Sequence, residues 1–342
     1  MNRRRRHLVA AAVAGTALSL VNGLAFGQAP ASSTDRPYRI FMILYRGETD
    51  VEKGFRDHFT SRSIPVELIV RNVELDIAKV PSLLDEARQL GVDLIYTWGT
   101  PVTLAVVGKS TQIDPAKHIT DIPVVFTMVA SPEGSGLVAT RTSSGRNITG
   151  ASHVVPIGQQ LEAMRAYRPL RRLAILYNST EPNAVLTLRE LRRAAQQDRF
   201  ELIEQPVPLD ADGKPLDAAL PDAIAKIVAL QPQLLYLGPD SYLAANRKVV
   251  TETALAARLP VFSATEIALR DGKALFGLVS RYDMVGRLTA YKAEQILVKK
   301  LPAKAVPIET LSRFSYIVNM AVATDLGFYP PLKVLNYAEI VR

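Results

Sequence analysis

RIFMILY at residues 39–45 and RLAILY at residues 172–177 are two apolar runs that each end in a tyrosine. Neither run alternates polar with apolar residues, and such near-continuous runs are typical of strands buried on both faces of a parallel sheet. Each is followed by a turn, by a segment with apolar residues at three- and four-residue steps, and by another apolar run. This alternation predicts an α/β fold with right-handed crossovers.

The two halves of the chain repeat further elements in the same order. DLIYTWGTPVTLA at 93–105 has a counterpart in QLLYLGPDSYLAA at 233–245, and DIPVVFT at 121–127 has one in RLPVFSA at 258–264. We therefore predict two similar α/β domains side by side. The alternative is one large sheet whose strands happen to be alike. The apolar spacing also predicts one continuous helix over residues 242–257.

The composition excludes several classes of protein. The length of 342 residues suggests two domains, and 48% hydrophobic with 22% charged residues is ordinary for a globular protein. The absence of cysteine excludes a disulfide scaffold, a thiol nucleophile, a thiolate metal site and a lipoprotein anchor. The net charge is +8, but four of the basic residues are the arginines at positions 3–6, so we expect no nucleic-acid partner.

The first 27 residues have the layout of a signal peptide. Arginines come first, an uncharged apolar stretch covers residues 8–26, and the small residues Ala25 and Gly27 precede the expected cleavage point. Residues 28–37 are polar and proline-containing, which indicates a flexible lead-in. We predict an exported, periplasmic protein. A retained membrane anchor and the choice between general and twin-arginine export stay open.

No motif nominates a cofactor, a metal ion or a catalytic residue. The glycines at 134 and 136 fit a dinucleotide fingerprint, but they follow the fourth predicted strand and no helix of useful length comes after them. The histidines beyond the signal peptide, His58, His118 and His153, lack metal-binding spacing. A nucleophile elbow is absent from the sequence. We therefore predict no cofactor, no metal and no enzymatic activity, while a catalytic site built from scattered residues stays open.

The loops after the predicted strands are the expected ligand site, because ligands of open α/β sheets bind beyond the carboxyl ends of the strands. The candidate ligand-binding residues all lie in such loops or at the strand ends themselves. They are Tyr45, Trp98, Gly99, Thr100, Thr127, Ser131, Tyr177, Asn178, Glu181, Asn183, Asp240, Ser241, Ser263 and Thr265.

Individual roles follow from residue type. Thr100 is predicted to cap a helix that starts at Pro101, whose free N–H groups suit an acidic group of the ligand. Trp98 is expected either to stack on the ligand or to anchor the core. Asn183 and Asp240 are each interpreted as helix caps that could also contact ligand. We expect Asp240→Ala to weaken an amine ligand about ten-fold with little change in melting temperature.

Four longer segments resemble a known family. They are IPVVFTMVASPEGSGLV at 122–138, GRNITGASHVVPIGQQLEAMRAYRPLRRLAILYN at 145–178, LYLGPDSYLAANRKVV at 235–250 and PVFSATEIALRDGKALFGLVSRYDMVGRLTAYKAEQIL at 260–297. The chain is similar over residues 38–342 to ABC-transporter substrate-binding proteins whose best-known members bind tryptophan and related amino acids. The resemblance implies a type I periplasmic-binding fold, in which two similar, doubly wound parallel-sheet α/β lobes are joined by a hinge and close on a ligand. Its first lobe would comprise residues 38–150 plus about 281–310, and its second residues 151–280 plus about 311–342.

The resemblance also implies a function. We expect a monomeric, exported solute-binding protein that captures a small molecule, an amino acid or a related compound, and delivers it to an ABC permease in the inner membrane. Family members often have Asp where this chain has Ser131, and an Ala-Thr-Pro loop where it has Trp98 before Gly99, Thr100 and Pro101. The alternatives are a periplasmic sensor subunit for a membrane kinase or chemoreceptor and an exported α/β enzyme.

Overall fold

The computed structural model describes residues 36–342. The predicted signal peptide, residues 1–27, and most of the predicted lead-in lie outside the described residues. Among residues 36–342, no helix has the length and apolarity needed to cross a membrane.

Residues 38–150 build one sheet of five strands, all parallel, in the order β2-β1-β3-β4-β5. The elements are β1 (Tyr38–Leu44), α1 (Asp50–Ser61), β2 (Val66–Asn72), α2 (Val80–Leu90), β3 (Leu94–Trp98), α3 (Gly99–Val107), β4 (Val124–Thr127) and β5 (Ile148–Gly150). Because β1 and β3 are buried on both faces, their side chains are mostly apolar, as the continuous runs predict, with Arg39 and Thr97 as the exceptions.

The rest of the chain builds a seven-stranded sheet and one helix that returns to the first sheet. The elements are α4 (Ile157–Tyr167), β6 (Arg172–Tyr177), α5 (Pro182–Asp198), β7 (Glu201–Pro206), α6 (Leu220–Ala229), β8 (Leu234–Leu237), α7 (Ser241–Ala245), α8 (Arg247–Ala256), β9 (Val261–Ser263), α9 (Ile267–Arg270), β10 (Phe276–Val279), α10 (Tyr282–Leu297), β11 (Ser315–Asn319), α11 (Met320–Leu326), α12 (Leu332–Leu335) and β12 (Glu339–Val341). Short 3-10 turns lie at Ile77–Lys79, Asp217–Ala219 and Ala303–Ala305.

The two sheets repeat one strand order. The second sheet runs β12-β11-β10-β9-β8-β6-β7, so its strands β7-β6-β8-β9-β10 match β2-β1-β3-β4-β5 one for one. This is the doubly wound order 2-1-3-4-5, which reverses direction between its first and third strands. The predicted pair of similar α/β lobes is confirmed. One strand departs from the parallel pattern, since β11 runs antiparallel to β10.

Helices cover both faces of each sheet. On the first sheet, α1 and α10 cover one face around Phe55 and Tyr96, and α2 and α3 cover the other around Phe41 and Phe126. On the second sheet, α4, α5 and α11 cover one face, and α6 and α8 cover the other. The apolar side chains of these four layers form the core of the molecule.

The helices α1 and α10 pack at unusually short distance. A Cβ built on Gly54 would lie 2.0 Å from the carbonyl oxygen of Asp283, and one on Gly286 would lie 1.9 Å from the carbonyl oxygen of Val51. The two glycines therefore allow backbone to approach backbone. At the far end of the same interface, His58 and Glu294 lie 236 positions apart in sequence, and His58 Nε2 is 2.8 Å from the Glu294 carboxylate.

The predicted continuous helix over 242–257 is wrong, because the helix breaks at Asn246. Asn246 has a backbone ψ of 15° and closes α7 through its N–H to the carbonyl of Tyr242. The Arg247 guanidinium donates to the carbonyl of Ala244 at 2.9 Å, which satisfies an end of α7. Asparagine favours such ends over helix interiors because its side chain competes for backbone groups.

Three segments of chain pass between the lobes, and we call them the hinge: residues 151–156, 280–281 and 309–314. Two of them are tied together, since Ser152 N–H donates to the carbonyl of Glu309 at 2.8 Å. The predicted lobe boundaries near 150, 280 and 310 stay a prediction.

Candidate functional site

A cavity lies where the carboxyl ends of β1 and β3 face those of β6 and β8. These are the positions at which each sheet reverses its strand order, where ligands of doubly wound folds bind. The cavity has a volume of about 20 Å³. It is lined by Arg46, Trp98, Met128, His153, Asn183, Pro239, Asp240, Ser241, Ala244, Thr265 and Tyr282.

The wall formed by the first lobe presents hydrogen-bond donors. The Arg46 guanidinium lies over the Trp98 ring, with its central carbon 4.5 Å from the ring centroid. Within residues 36–342, both terminal nitrogens of Arg46, the indole nitrogen of Trp98 and the hydroxyl of Thr100 are buried without a hydrogen-bond partner. This wall is therefore suited to an anionic group.

The start of α3 corrects the predicted role of Thr100. The helix begins at Gly99 with Trp98 as its N-cap, so Thr100 lies inside the first turn and is not the cap. Gly99 has a φ of +82°, which favours glycine, and a Cβ built on it would lie 3.9 Å from Ser241 Oγ on the opposite lobe. The first turn of α3 thus faces the second lobe at close range.

The wall formed by the second lobe presents acceptors. Asp240 accepts the N–H of Asn178 at 2.7 Å and, as the N-cap of α7, the N–H of Leu243 at 3.0 Å. The Glu181 carboxylate accepts the N–H and the hydroxyl of Ser241 at 2.8 and 2.7 Å. Both carboxyls are more than nine-tenths buried.

Asn183 completes this wall, although not as a helix cap. The helix α5 starts at Pro182 with Glu181 at its N-cap, so the predicted capping role of Asn183 is wrong. The Asn183 amide instead donates to the carbonyl of Pro239, and its Oδ1 is buried without a partner in the described part of the chain. That oxygen is free to accept from a ligand.

Burial changes the ionisation of the second wall. It raises the pKa of Glu181 to about 8, with the neighbouring Asp240 carboxylate as a further cause, and it also raises the pKa of Asp240. Burial, followed by the negative charges of Glu181 and Asp240, raises the pKa of Tyr45 to about 12. Tyr45 therefore lies close enough to the opposite wall to sense those carboxyls.

The hinge supplies the remaining surface. Burial and the charge of Arg46 lower the pKa of His153 to about 3, so this histidine is neutral. Its Nδ1 has no partner among the described residues. Tyr282 lies at the start of α10, and its N–H donates to the buried carboxylate of Glu266 at 2.6 Å. Side chains in the hinge and next to it thus line the same cavity.

Five of the predicted site residues line the cavity: Trp98, Asn183, Asp240, Ser241 and Thr265. Tyr45, Gly99, Thr100 and Glu181 lie beside it, as the contacts above show. Asn178 contributes its backbone N–H to Asp240, while its side-chain oxygen accepts from Thr180. The site residues predicted at the ends of the strands thus divide into a group at the cavity and a group turned away from it.

Four predicted residues have side chains engaged elsewhere. Thr127 accepts from Thr289 of α10 at 3.0 Å. Ser131 and Ser263 each bond to backbone within their own turns. Tyr177 has Glu204 and Arg192 as its charged neighbours, on the side of β7 and α5. The residue types alone could not show this, because the hydroxyl of a serine or threonine can bond to nearby backbone as readily as to a ligand.

Six residues of the lining are not among the predicted site residues, although the first two lie in loops expected to face the ligand, 45–48 and 127–132: Arg46, Met128, His153, Pro239, Ala244 and Tyr282. Arg46 follows Tyr45 directly at the end of β1, so its position in the chain was a usable signal. His153 was considered only as a metal ligand. Tyr282 reaches the cavity because the chain crosses the hinge there, which no local pattern reveals.

Two α/β lobes with a polar cavity at their facing strand ends define a two-lobed ligand-binding protein. The sequence profile of the family described as ABC transporter substrate binding protein matches residues 62–342. The chain belongs to this family, whose members are substrate-binding proteins rather than enzymes.

Individual relatives have low sequence identity to this chain, but their matches cover most of its length. A tyrosine-binding protein of Clostridioides difficile (strain R20291) is 24% identical over 272 residues, which is 78% of this chain and 71% of that protein. The structure of a domain from Streptococcus pneumoniae in complex with L-Trp superposes with a TM-score of 0.77 at 21% identity, covering 90% of this chain and 100% of that one. A conserved domain protein from Vibrio cholerae gives a TM-score of 0.78 at 21% identity over the same shares. These structures show that the fold is that of type I periplasmic-binding proteins.

Proposed function

We propose that this protein is the exported binding component of an ABC importer and that it captures an amino acid or a closely related compound between its lobes. It would hand this ligand to a permease in the inner membrane, with lobe closure as the signal. The family membership supports the transport role, and the names of two relatives, which bind tyrosine and L-Trp, support an amino acid. The predicted signal peptide supports a periplasmic location.

One observation carries the choice of ligand: the two walls of the cavity have opposite character. The wall of the first lobe offers the donors of Arg46, Trp98 and Thr100, and the wall of the second offers the acceptors of Asn183 and Asp240. A zwitterion with a carboxylate at one end and an ammonium at the other satisfies both walls. Buried polar groups that gain such partners recover the cost of their desolvation.

The test is a binding assay on the purified protein. We expect a free L-amino acid to raise the melting temperature and to bind in isothermal titration calorimetry, whereas the matching amine without a carboxylate and the matching acid without an amine bind at least about ten-fold more weakly. A panel in which sugars or nucleosides bind and amino acids do not would refute the proposal.

Protein recovered from the host envelope should begin at or near Gln28, whereas an N-terminus at Met1 argues against export.

Asp240→Ala is expected to lower both affinity and stability. The earlier expectation of an unchanged melting temperature does not fit the two backbone N–H groups that this carboxylate accepts. Loss of the cap should cost about 1–2 kcal/mol of unfolding free energy, and loss of the charge should weaken an amine ligand about ten-fold. Asp240→Asn serves as the matched control because asparagine also caps helices. Urea unfolding and calorimetry should show that it recovers most of the stability and little of the affinity.

The stability of the ligand-free protein is expected to fall as pH rises from about 5 to 8. Glu181 keeps its proton in the folded state through this window, because its pKa is raised, whereas the unfolded chain releases the proton near the ordinary value of 4.5. The folded state then binds more protons than the unfolded state, so the unfolding free energy decreases as the pH rises through this window. Urea unfolding at four pH values should show the slope in the wild type and a shallower one in Glu181→Gln. Equal slopes would contradict the assignment.

A further inference from the structure

The cavity adjoins a larger space between the lobes, which we call the outer chamber. Its volume is about 330 Å³, it is more open to solvent than the cavity, and it is lined by Arg46, Asn72, Glu74, Leu75, Ala245 and Arg247. Arg46 lines both spaces, and Ala244 of the cavity directly precedes Ala245 of the outer chamber. The two spaces are therefore neighbours that share one guanidinium as a common wall.

The cavity by itself is too small for an amino acid. Its volume of about 20 Å³ is little more than the ~10–15 Å³ that one water molecule needs. In this arrangement of the lobes it has room for an ammonium group beside Asn183 and Asp240, but not for a side chain as well. A ligand whose carboxylate binds Arg46 therefore extends into the outer chamber, which lies against the same guanidinium.

The outer chamber offers apolar surface to the rest of the ligand. Leu75 is 40% exposed although it is a large apolar residue, and it lines the chamber together with Ala245. The Glu74 carboxylate and the Arg247 guanidinium each pair with a residue that does not line the chamber. A charged ligand side chain therefore finds its opposite charges already engaged, whereas an apolar one gains contact and leaves water.

A strained backbone holds Leu75 in this position. Glu74 and Leu75 have φ angles of +55° and +68°, and within residues 36–342 no other two consecutive non-glycine residues have positive φ. The Leu75 N–H donates to the carbonyl of Tyr45 at 2.8 Å, which ties this loop to the end of β1, and the Glu74 N–H donates to Asn72 Oδ1 at 3.0 Å. Such strain persists where the surrounding structure enforces it, and it is concentrated at functional sites.

We propose that the outer chamber is the side-chain subsite of the ligand, that it takes an extended apolar side chain, and that Leu75 and Ala245 determine this preference. The ammonium group of the ligand lies in the cavity, its carboxylate at Arg46 and its side chain in the outer chamber. This inference rests on the proposed function and narrows its substrate class from amino acids in general to those with an extended apolar side chain.

The experiment measures how affinity depends on the ligand side chain, by calorimetry on the purified protein. L-Alanine, L-2-aminobutyrate, L-norvaline and L-norleucine differ only in methylene groups, and L-glutamate and L-lysine add a charge. The standard L-amino acids complete the panel. The one that binds the wild type most tightly is then measured, beside L-alanine, on every variant, with folding checked by thermal melting.

Two variants change the outer chamber in different ways. Leu75→Asn removes apolar surface but suits the positive φ, because asparagine adopts the left-handed conformation readily. Ala245→Leu instead fills the chamber from the opposite lobe. The matched control is Ile77→Asn, because Ile77 is similarly exposed, at 46%, and does not line the chamber.

We expect affinity for the wild type to rise about two- to four-fold with each methylene from L-alanine to L-norleucine, because each adds buried apolar surface. The charged pair should bind more weakly than L-norleucine. Leu75→Asn should weaken the tightest ligand about three- to ten-fold and L-alanine hardly at all, while its melting temperature stays equal to that of the wild type or rises. Ala245→Leu should weaken the tightest ligand more than L-alanine, and Ile77→Asn should bind like the wild type.

Two results would overturn the inference while leaving the proposed function intact. One is a small or charged amino acid as the tightest ligand of the wild type. The other is a tightest ligand whose affinity in Leu75→Asn and in Ala245→Leu equals that in Ile77→Asn, which would place its side chain outside the chamber. Failure of every L-amino acid to bind the folded wild type would overturn the proposed function and the inference together.

Discussion

Replacing Gly286 by alanine is expected to lower the free energy of unfolding by about 3 kcal/mol. The added Cβ would lie 1.9 Å from the carbonyl oxygen of Val51 and 2.9 Å from the backbone nitrogen of Phe55, so α10 and α1 must move apart. Neither neighbour is a flexible side chain that could give way. Overpacking of a core contact typically costs 1–3 kcal/mol, and a clash with backbone lies at the upper end.

The chain contains a matched control for this substitution. Gly158 lies in α4, and a Cβ built on it meets no atom within 4 Å. Gly158→Ala should therefore be neutral or stabilise by up to ~1 kcal/mol, because alanine favours helix over glycine. Thermal and urea unfolding of the two variants measure the difference. Similar losses in both variants would show that the α1–α10 contact is not as close as described.

Replacing Glu266 by alanine is expected to cost about 3 kcal/mol of unfolding free energy. Its carboxylate is 3% exposed, lies 2.8 Å from Arg281 Nε, contacts Arg270 and accepts the N–H of Tyr282. Both arginines also pair with Glu339 of β12. Removing the Glu266 carboxylate leaves both arginines with Glu339 as their nearest carboxylate and the Tyr282 N–H without its acceptor. Breaking a fully buried ion pair costs about 3–5 kcal/mol. Partial exposure of the arginines places the expected value at the lower end.

Glu48→Ala is the control for Glu266→Ala. Glu48 pairs with Arg56 at a site where both side chains are more than one-third exposed. Exposed pairs contribute about 0–1 kcal/mol, so this variant should melt close to the wild type. Urea unfolding distinguishes the two outcomes. A loss in Glu266→Ala no larger than that in the control would mean that water replaces the carboxylate at the hinge.

The main features of the fold follow from the sequence because they depend on buried strands. The continuous apolar runs of β1, β3, β6 and β8 identify central strands, and their repetition predicts two lobes with one strand order. The strands β5 and β12 were not predicted, since each is three residues long and, unlike β9, lies outside the apolar runs that predict strands. The antiparallel direction of β11 depends on how the chain returns across the hinge, which is a tertiary property.

The site was partly predictable because it also depends on the buried strands, whose ends could be located in the sequence. Strand ends identify loops, and the loops with Trp98, Asn183 and Asp240 do line the cavity. A side chain's direction within a loop depends on local hydrogen bonds, which is why Ser131 turns to its own backbone. Arg46 resembles an ordinary surface cation in the sequence. Only the structure shows that its terminal nitrogens are buried and that its guanidinium lies over the Trp98 ring.

The packing of α10 on α1 also determines when the first lobe can fold. The ribosome synthesises α1 more than two hundred residues before the helix that covers it, as the contact between His58 and Glu294 shows. Until α10 emerges, Val51 and Phe55 lack the surface that buries them. The second sheet waits even longer, because β11 and β12 come last. Neither lobe can therefore reach its final form before translation is nearly complete. Contacts between such distant parts of a chain also slow folding.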